Sequence, residues 1–440
     1  LLASGPNAGQ SVTLGTATIS GGSAAATFTL PAFGPNTVTA NYGGDSTYAA
    51  DASGPVTVSV NAYNGEVIVD QFRQSGPQGI TDQYVQLYNT GPAVSLAGFS
   101  LLTASGASFT VPGTAPVVPT GHSYLVTGAE YSLGPVAASD TPATILGFTG
   151  LQVTAPDGPA TIVDAVGFVG AITGFFSGTA LPALTATTDQ YAWVRLETAG
   201  APVNTDNNHT DFKLVSTDGG VVGGVQSTLG SPSPLASGSP SQSNGLLRST
   251  LLDPTKAFNA APNFVYAKGA PGLLTVRRTI TNSSANTATT VELRITSLSE
   301  ANGAPEPGVA NQPTLPAQLR FIDPATATST VTVTGQGSVT VENLSIDAPA
   351  INTSGGGLDT TLTVSLPSGL AAGASVNIAI SFAVDRHGPY WFGYDVDASF
   401  GTGGAPDAGR ALQALAPAAR SRTGRLPARA SNNRAYGTLR

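Results

Sequence analysis

Apolar and polar residues alternate in short runs along most of this chain, and the clearest run lies between Glu66 and Leu101. There Val67 and Val69 alternate with Ile68 and Asp70, and Tyr84, Gln86 and Tyr88 alternate with Val85, Leu87 and Asn89. A period of two puts successive side chains on opposite faces of a strand. Both strands carry apolar residues on each parity, so the pattern predicts packing on one face and partial cover on the other. The same spacing recurs at Val12/Leu14, Phe28/Leu30, Val38/Ala40/Tyr42 and Val56/Val58/Val60, and in later runs such as Tyr191 to Leu196, Leu273 to Asn282, Ser375 to Phe382 and Trp391 to Val396. No segment keeps a 3.6-residue apolar period over three turns, so helices are not expected. The predicted class is all-β, built as tandem antiparallel β-sandwiches.

Turn residues divide the runs into modules. Residues 1–62 hold four strands, too few for a comfortable sandwich, and residues 63–230 form a second module. Residues 231–257, rich in Ser, Pro and Gly, read as a polar linker. Residues 258–402 supply about eight strands, enough for a complete sandwich. Residues 403–440 turn rich in Gly, Ala, Pro and Arg, and the expectation there is a disordered tail. Its Ala411 to Ala419 run is too short for a stable isolated helix.

Composition adds three constraints. The chain has 53 Gly and 32 Pro in 440 residues, which suits many strands joined by tight turns. It has no Cys, so disulfides, thiolate metal sites and a Cys nucleophile are excluded. The net charge of −8 conceals an asymmetry. Arginines 410, 420, 422, 425, 429, 434 and 440 fall in a stretch with no acid, so 11 of the 18 bases stand against all 26 acids over residues 1–409, a charge of −15. An acidic body argues against nucleic acid as its partner, and the Arg-rich tail reads as solvated. No apolar run is long enough for a transmembrane helix. The opening Leu1-Leu-Ala-Ser-Gly-Pro6 has neither a start Met nor a signal-peptide pattern, and the expectation is a fragment of a longer exported product.

Three resemblances give the modules a family context. Asn36-Thr-Val-Thr-Ala-Asn-Tyr-Gly-Gly-Asp45, with Tyr48 and Ser53 to Val60, resembles the end of a bacterial immunoglobulin-like repeat. That resemblance implies Tyr42 in a core, Gly43-Gly44-Asp45 in a turn, and a spacer role. Tyr84-Val-Gln-Leu-Tyr-Asn89, Leu96-Ala-Gly-Phe-Ser-Leu101 and the closing Asn204-Thr-Asp-Asn-Asn-His-Thr-Asp-Phe212 resemble the bacterial lamin-tail domain, an immunoglobulin-like sandwich. Here Gln86 replaces the family's usual Glu and Phe99 its usual Trp. Arg277-Arg-Thr-Ile-Thr-Asn282 with Gly355-Gly-Gly-Leu358 resembles the C-terminal sandwich of large bacterial surface proteins.

Candidate chemistry is sparse. His122, His209 and His387 have no partner ligand at i, i+4 spacing, and read as solvated or locally bonded. Asp206, Asn207, Asn208 and Asp211 form an oxygen-rich cluster, for which Asx-turn chemistry and a Ca²⁺ site both stay open. Tyr390, Trp391 and Tyr394 lie among Asp385, Asp395 and Asp397, a grouping suited to a carbohydrate platform or, alternatively, to core and edge packing. A carboxylate pair is also the minimum for glycoside hydrolysis. No Gly-x-Ser-x-Gly, phosphate-loop, dinucleotide or His-Glu-x-x-His pattern occurs, and Gly355 to Gly357 reads as a turn. The expected function is non-catalytic: a structural, spacer or adhesion role in a secreted or cell-surface protein, with an extracellular protein or glycan as partner and no cofactor besides Ca²⁺. The alternative is an accessory binding region of an extracellular hydrolase or nuclease.

Overall fold

The computed structural model describes residues 13–26, 34–60, 66–133, 141–143, 148–156, 162–198, 200–300, 315–347, 354–401 and 434–439. Among these the chain is all-β, with one helical turn. In the first module β1 (Gly34–Val38) pairs with β4 (Val56–Val60), and β2 (Asn41–Tyr42) with β3 (Asp51–Ala52). The glycine turn is present: Gly44 has φ +80°, and the Asp45 carboxylate accepts from the Thr47 and Tyr48 amides. Tyr42 departs from the core position expected of it. It is half-buried, on a two-residue strand, and donates its hydroxyl to Asp45 at 2.5 Å.

The second module contains β5 (Val67–Arg73), β6 (Tyr84–Asn89), β7 (Val94–Ser95), β8 (Ser100–Thr103), β9 (Ser108–Thr110), β10 (Val117–Val118), β11 (Ser123–Thr127), β12 (Thr141–Pro142), β13 (Gly150–Thr154) and β14 (Ile162–Gly167). It continues through β15 (Tyr191–Arg195), β16 (Glu197–Thr198), β17 (Ala201–Pro202), α1 (Asn208–Asp211), β18 (Phe212–Ser216), β19 (Val221–Val222), β20 (Val225–Gln226) and β21 (Thr228–Leu229). A large sheet in the order β12-β11-β6-β5-β15-β18-β21 faces a smaller one, β14-β13-β8-β9. Val67, Val69, Phe72, Leu87 and Trp193 from the first share a core with Leu101, Leu151, Val153 and Val166 from the second. Phe99 is fully buried in that core. Most ladders are antiparallel, but β11/β12 and β18/β21 are short parallel pairs.

The third module contains β22 (Ser241–Gln242), β23 (Leu247–Leu251), β24 (Phe264–Ala267), β25 (Gly272–Asn282), β26 (Ala288–Leu298), β27 (Gln318–Phe321), β28 (Thr328–Val333) and β29 (Gly337–Asn343). It closes with β30 (Thr361–Thr363), β31 (Ser375–Arg386), β32 (Gly388–Phe400) and β33 (Arg434–Leu439). One sheet runs β22-β32-β26-β30 with β33 also on β32; the other runs β23-β25-β31-β29-β28 with β24 and β27 attached. Leu293, Ile295, Phe392, Tyr394 and Val396 of the first pack on Val276, Ile280, Ile380, Phe382 and Phe321 of the second. Rings of Phe382 lie 4.4 Å from Phe321 and 4.9 Å from Phe392.

Two segments differ from the sequence reading. Residues 231–257 are not a free linker, since β22 pairs with β32 and β23 with β25. Composition reports how an isolated segment behaves, whereas here neighbouring strands supply partners for its backbone groups. Within residues 403–440, assigned to a disordered tail, Arg434–Leu439 forms β33, paired with Gly388–Gly393 of β32. Its Ala435 and Leu439, at strand spacing, are buried in the third-module core; the rest of that tail lies outside the described residues. If β33 completes this core, Leu439→Ala lowers stability by about 2–5 kcal/mol, read as a shifted urea midpoint. An unshifted midpoint would mean that the strand contributes nothing.

Candidate functional site

Alternation along β32 separates the residues that the sequence had grouped. Tyr390, Phe392, Tyr394 and Val396 point into the third-module core, while Trp391, Asp395 and Asp397 occupy the other face. Tyr390, Trp391 and Tyr394 are all at least 95% buried, so no ring face is open for a sugar to stack on. Tyr394 bonds Ser249 through its hydroxyl at 2.6 Å. Asp385 is remote from this face, exposed and paired with Arg320 at 2.9 Å.

The residues proposed for Ca²⁺ form a clasp inside the second module. Asn207 caps α1 by accepting from the His209 amide. The Asn208 side chain accepts from Gly167 and Ser177 amides and donates to the Ala165 carbonyl at 2.9 Å, latching α1 to β14. Asp211 accepts from the Thr205 amide and hydroxyl and pairs with Arg195 at 3.3 Å. Asp206 is exposed, in the left-handed region at φ +55°. These oxygens are turned to separate protein partners rather than to a common centre, which favours the turn reading over Ca²⁺. Among the described residues no group of three or more His, Asp or Glu is arranged to hold a metal, and no helix is long and apolar enough to cross a membrane. His122 is partly buried, which lowers its pKa, His209 is exposed, and His387 bonds Tyr266; the three do not converge.

The densest polar constellation lies where the outer face of the second module's large sheet meets the outer face of the β22-β32-β26-β30 sheet. On one side are Asp70, Gln71, Gln86, Tyr88 and Glu197; on the other are Arg294, Asp359, Asp395 and Asp397, around a cavity of about 30 Å³. Arg294 is the hub. Its Nη1 donates to Asp359 at 2.7 Å and to the Ser233 carbonyl at 2.8 Å, and its Nε donates to Asp397 at 3.0 Å. Asp359 in turn accepts from Gln71 Nε2 and the Ser233 amide, each at 2.8 Å, so one carboxylate ties both modules and the segment between them. It does so from a left-handed backbone, φ +60°, uncommon for a residue with a Cβ.

The amide of Gln86 makes two bonds that a carboxylate there could not both make. Its amide oxygen accepts from the Leu235 amide at 2.8 Å while its Nε2 donates to Asp70 at 2.8 Å. A carboxylate could accept the first bond but, when ionised, could not donate the second.

Backbone pairing crosses the same boundary. Gly230 and Leu358 form a parallel bridge, with Leu358 N–H donating to the Leu229 carbonyl at 3.0 Å and Ser231 N–H to the Leu358 carbonyl at 3.1 Å. The approach is close enough to demand glycine. A Cβ on Gly357 would sit 2.0 Å from the Leu229 oxygen, and one on Gly230 would sit 2.2 Å from the Leu358 oxygen. Beside this bridge, Tyr84, Leu125, Ala192, Val194 and Val215 pack with Ala236 and Leu358.

Electrostatics at the joint are lopsided. Burial raises Asp70 to about 7, with Arg195 pulling it back. Burial likewise raises Asp397 to about 7 against the opposing pull of Arg294. Glu197 is raised well above the usual carboxyl range, first by burial and then by the neighbouring Asp395. Its Oε2 is buried and finds no hydrogen-bond partner among the described residues. Glu300 is raised to about 8 by burial, with Lys213 opposing the shift.

No family model, curated protein or solved structure matches the chain. The geometry itself describes a joint: one arginine, a shared aspartate and a backbone bridge hold two sandwiches face to face. Arg294→Ala leaves Asp359 and Asp397 buried without their counter-ion, and the expected cost is about 3–5 kcal/mol in calorimetric unfolding at neutral pH. A loss below about 1 kcal/mol would place the hub's contribution at that of an exposed pair.

Proposed function

We propose that this chain is a non-catalytic structural segment of a secreted or cell-surface modular protein, with the second and third modules working together as a stiff spacer. The observation that carries this reading is the joint between them. Covalently tethered domains move relative to one another by default, and a contact must be extensive and well ordered to prevent it. Here the backbone bridge at Leu358, the Arg294–Asp359 pair and the apolar patch around Val215 act together. Asp359 reaches Gln71 from more than 280 positions away in sequence, and two stretches of the connecting segment, Ser241–Gln242 and Leu247–Leu251, are strand-paired on the third module. Such a unit sets the distance and angle between whatever lies at its two ends. The resemblances of residues 63–230 to lamin-tail domains and of residues 1–62 to immunoglobulin-like repeats fit a display or adhesion role at the cell exterior.

The test combines location with mechanics. Proteolytic shaving of intact producing cells is expected to release peptides from residues 66–401, and recovery of the chain only from the cytosol would overturn the surface assignment. In calorimetry at pH 5 the two modules should unfold in one transition, and Gly357→Val should split it into two by forcing Leu358 from Leu229. Two independent transitions in the unaltered chain would remove the stiff spacer.

A further inference from the structure

We propose that the joint is a proton-controlled latch, which closes the second module on the third while its carboxyl cluster retains protons and releases it when the cluster ionises. This rests on the spacer reading above and adds a condition under which the spacer is stiff. Six carboxyl groups meet here from separate elements: Asp70 on β5, Glu197 on β16, Glu292 on β26, Asp359 before β30, and Asp395 and Asp397 on β32. Facing them, Arg294 engages Asp359, Asp397 and, at 3.5 Å, Glu292. The second cation, Arg195, is already committed to Asp164 at 2.9 Å and Asp211 at 3.3 Å within the second module. The other polar neighbours, Gln71, Gln86, Tyr88, Gln242 and Asn244, are neutral groups.

The geometry leaves too few positive charges for six carboxylates, of which Asp359, Asp395 and Asp397 are buried and Asp70, Glu197 and Glu292 partly so. Glu197 and Asp395 also neighbour one another, and two ionised carboxylates placed side by side repel, so burial and Asp395 together raise Glu197 well above the usual carboxyl range. The closed joint therefore favours a proton on this pair. Asn244 donates to Asp395 at 2.7 Å, and Glu197, which burial raises, is the proton carrier of the pair.

The direction of the pH response follows. Parting the sheets exposes Asp70, Glu197 and Asp397 to water and returns them toward ordinary carboxyl values, so the closed form binds more protons than the open one. Closure is fully favoured below the ordinary carboxyl range, and that advantage is lost as pH rises through about 7, where Asp70 and Asp397 titrate. Between pH 5 and pH 8 the closed-to-open ratio falls on the order of 100-fold for each such group. Arg294 keeps its charge throughout, since its three carboxyl neighbours raise its pKa against the effect of burial.

The chain has no Cys, so a pair of spin labels can be placed without removing any residue's own thiol. Exposed Ser108 on β9 and Thr332 on β28 report on the two modules through Ser108→Cys and Thr332→Cys in the full chain. The expected distance distribution is narrow at pH 5, gains a broad second component above pH 7, and narrows again on return to acid. Glu197→Gln, whose side chain is neutral at every pH, is expected to keep the distribution narrower at pH 8. A narrow distribution from pH 5 to pH 9 overturns the latch and leaves the stiff spacer standing. A broad one at every pH overturns both. A Glu197→Gln titration identical to that of the parent removes Glu197 as the proton carrier.

Discussion

Arg294 is the charge on which the arrangement of the two larger modules depends. A guanidinium buried to this extent is stable only if its donors are matched, and here they find Asp359, Asp397 and the Ser233 carbonyl. Those three partners come from a loop, a strand and the segment that connects the modules. Fixing one side chain therefore fixes the loop at Leu358, which in turn reaches the backbone of Leu229 to Ser231. The left-handed backbone at Asp359 is compatible with this chain of constraint, because carboxylate bonds to Arg294, Gln71 and Ser233 offset the cost of an unfavourable φ.

The interior of each sandwich follows a simpler rule. Burial alternates strictly on β25, and on β32, where both parities are buried, one parity alone joins the third-module core. The opposite parity is where the chemistry of the joint lies. On paired strands β26 and β32, Glu292 stands across from Asp397 and Arg294 across from Asp395, so the outward face of this sheet is an ionic lattice rather than a solvated surface. The same logic reassigns Asp395 and Asp397 from an aromatic cluster to the joint, since a strand cannot present neighbouring residues on one face.

The all-β class and the strands from Val67 to Leu101 were legible because burial imposes a period of two on any sequence that satisfies it. The joint was less legible, because its parts are far apart in sequence and each has an ordinary local explanation. Gly355 to Gly357 looked like a turn, and nothing local says that Gly357 must clear the Leu229 oxygen. Asp359, one residue past Leu358, had no partner within reach in sequence. The usable signal was the charges at strand positions: Glu292, Arg294, Asp395 and Asp397 sit in runs otherwise made of β-branched and aromatic residues, and outward polar residues of both signs at matching register suggest a second sheet opposite. Strand β33 was hidden for another reason. Its Ala435 and Leu439 lie in a window whose arginines dominate any average, while two well-spaced apolar residues suffice to dock a short strand on β32.

An ionic joint also answers a difficulty that an apolar one would create. Each module would otherwise carry an outward sheet face of several apolar side chains, exposed whenever the partner module was not yet folded, and such faces invite association between copies. Replacing part of that face with Asp70, Gln71, Gln86, Arg294 and Asp397 makes each sheet soluble alone, and only the matched pair satisfies the polar groups. Specificity then resides in register: Gln86 must meet Leu235, and Arg294 must meet Asp359. The cost is an interface whose contribution depends on protonation, because carboxyl groups that solubilise the open face must be paired or neutral to be buried. A joint selective enough to form only in the right register is thereby sensitive to pH, and Asp359 and Asp397, through Arg294, take part in both properties.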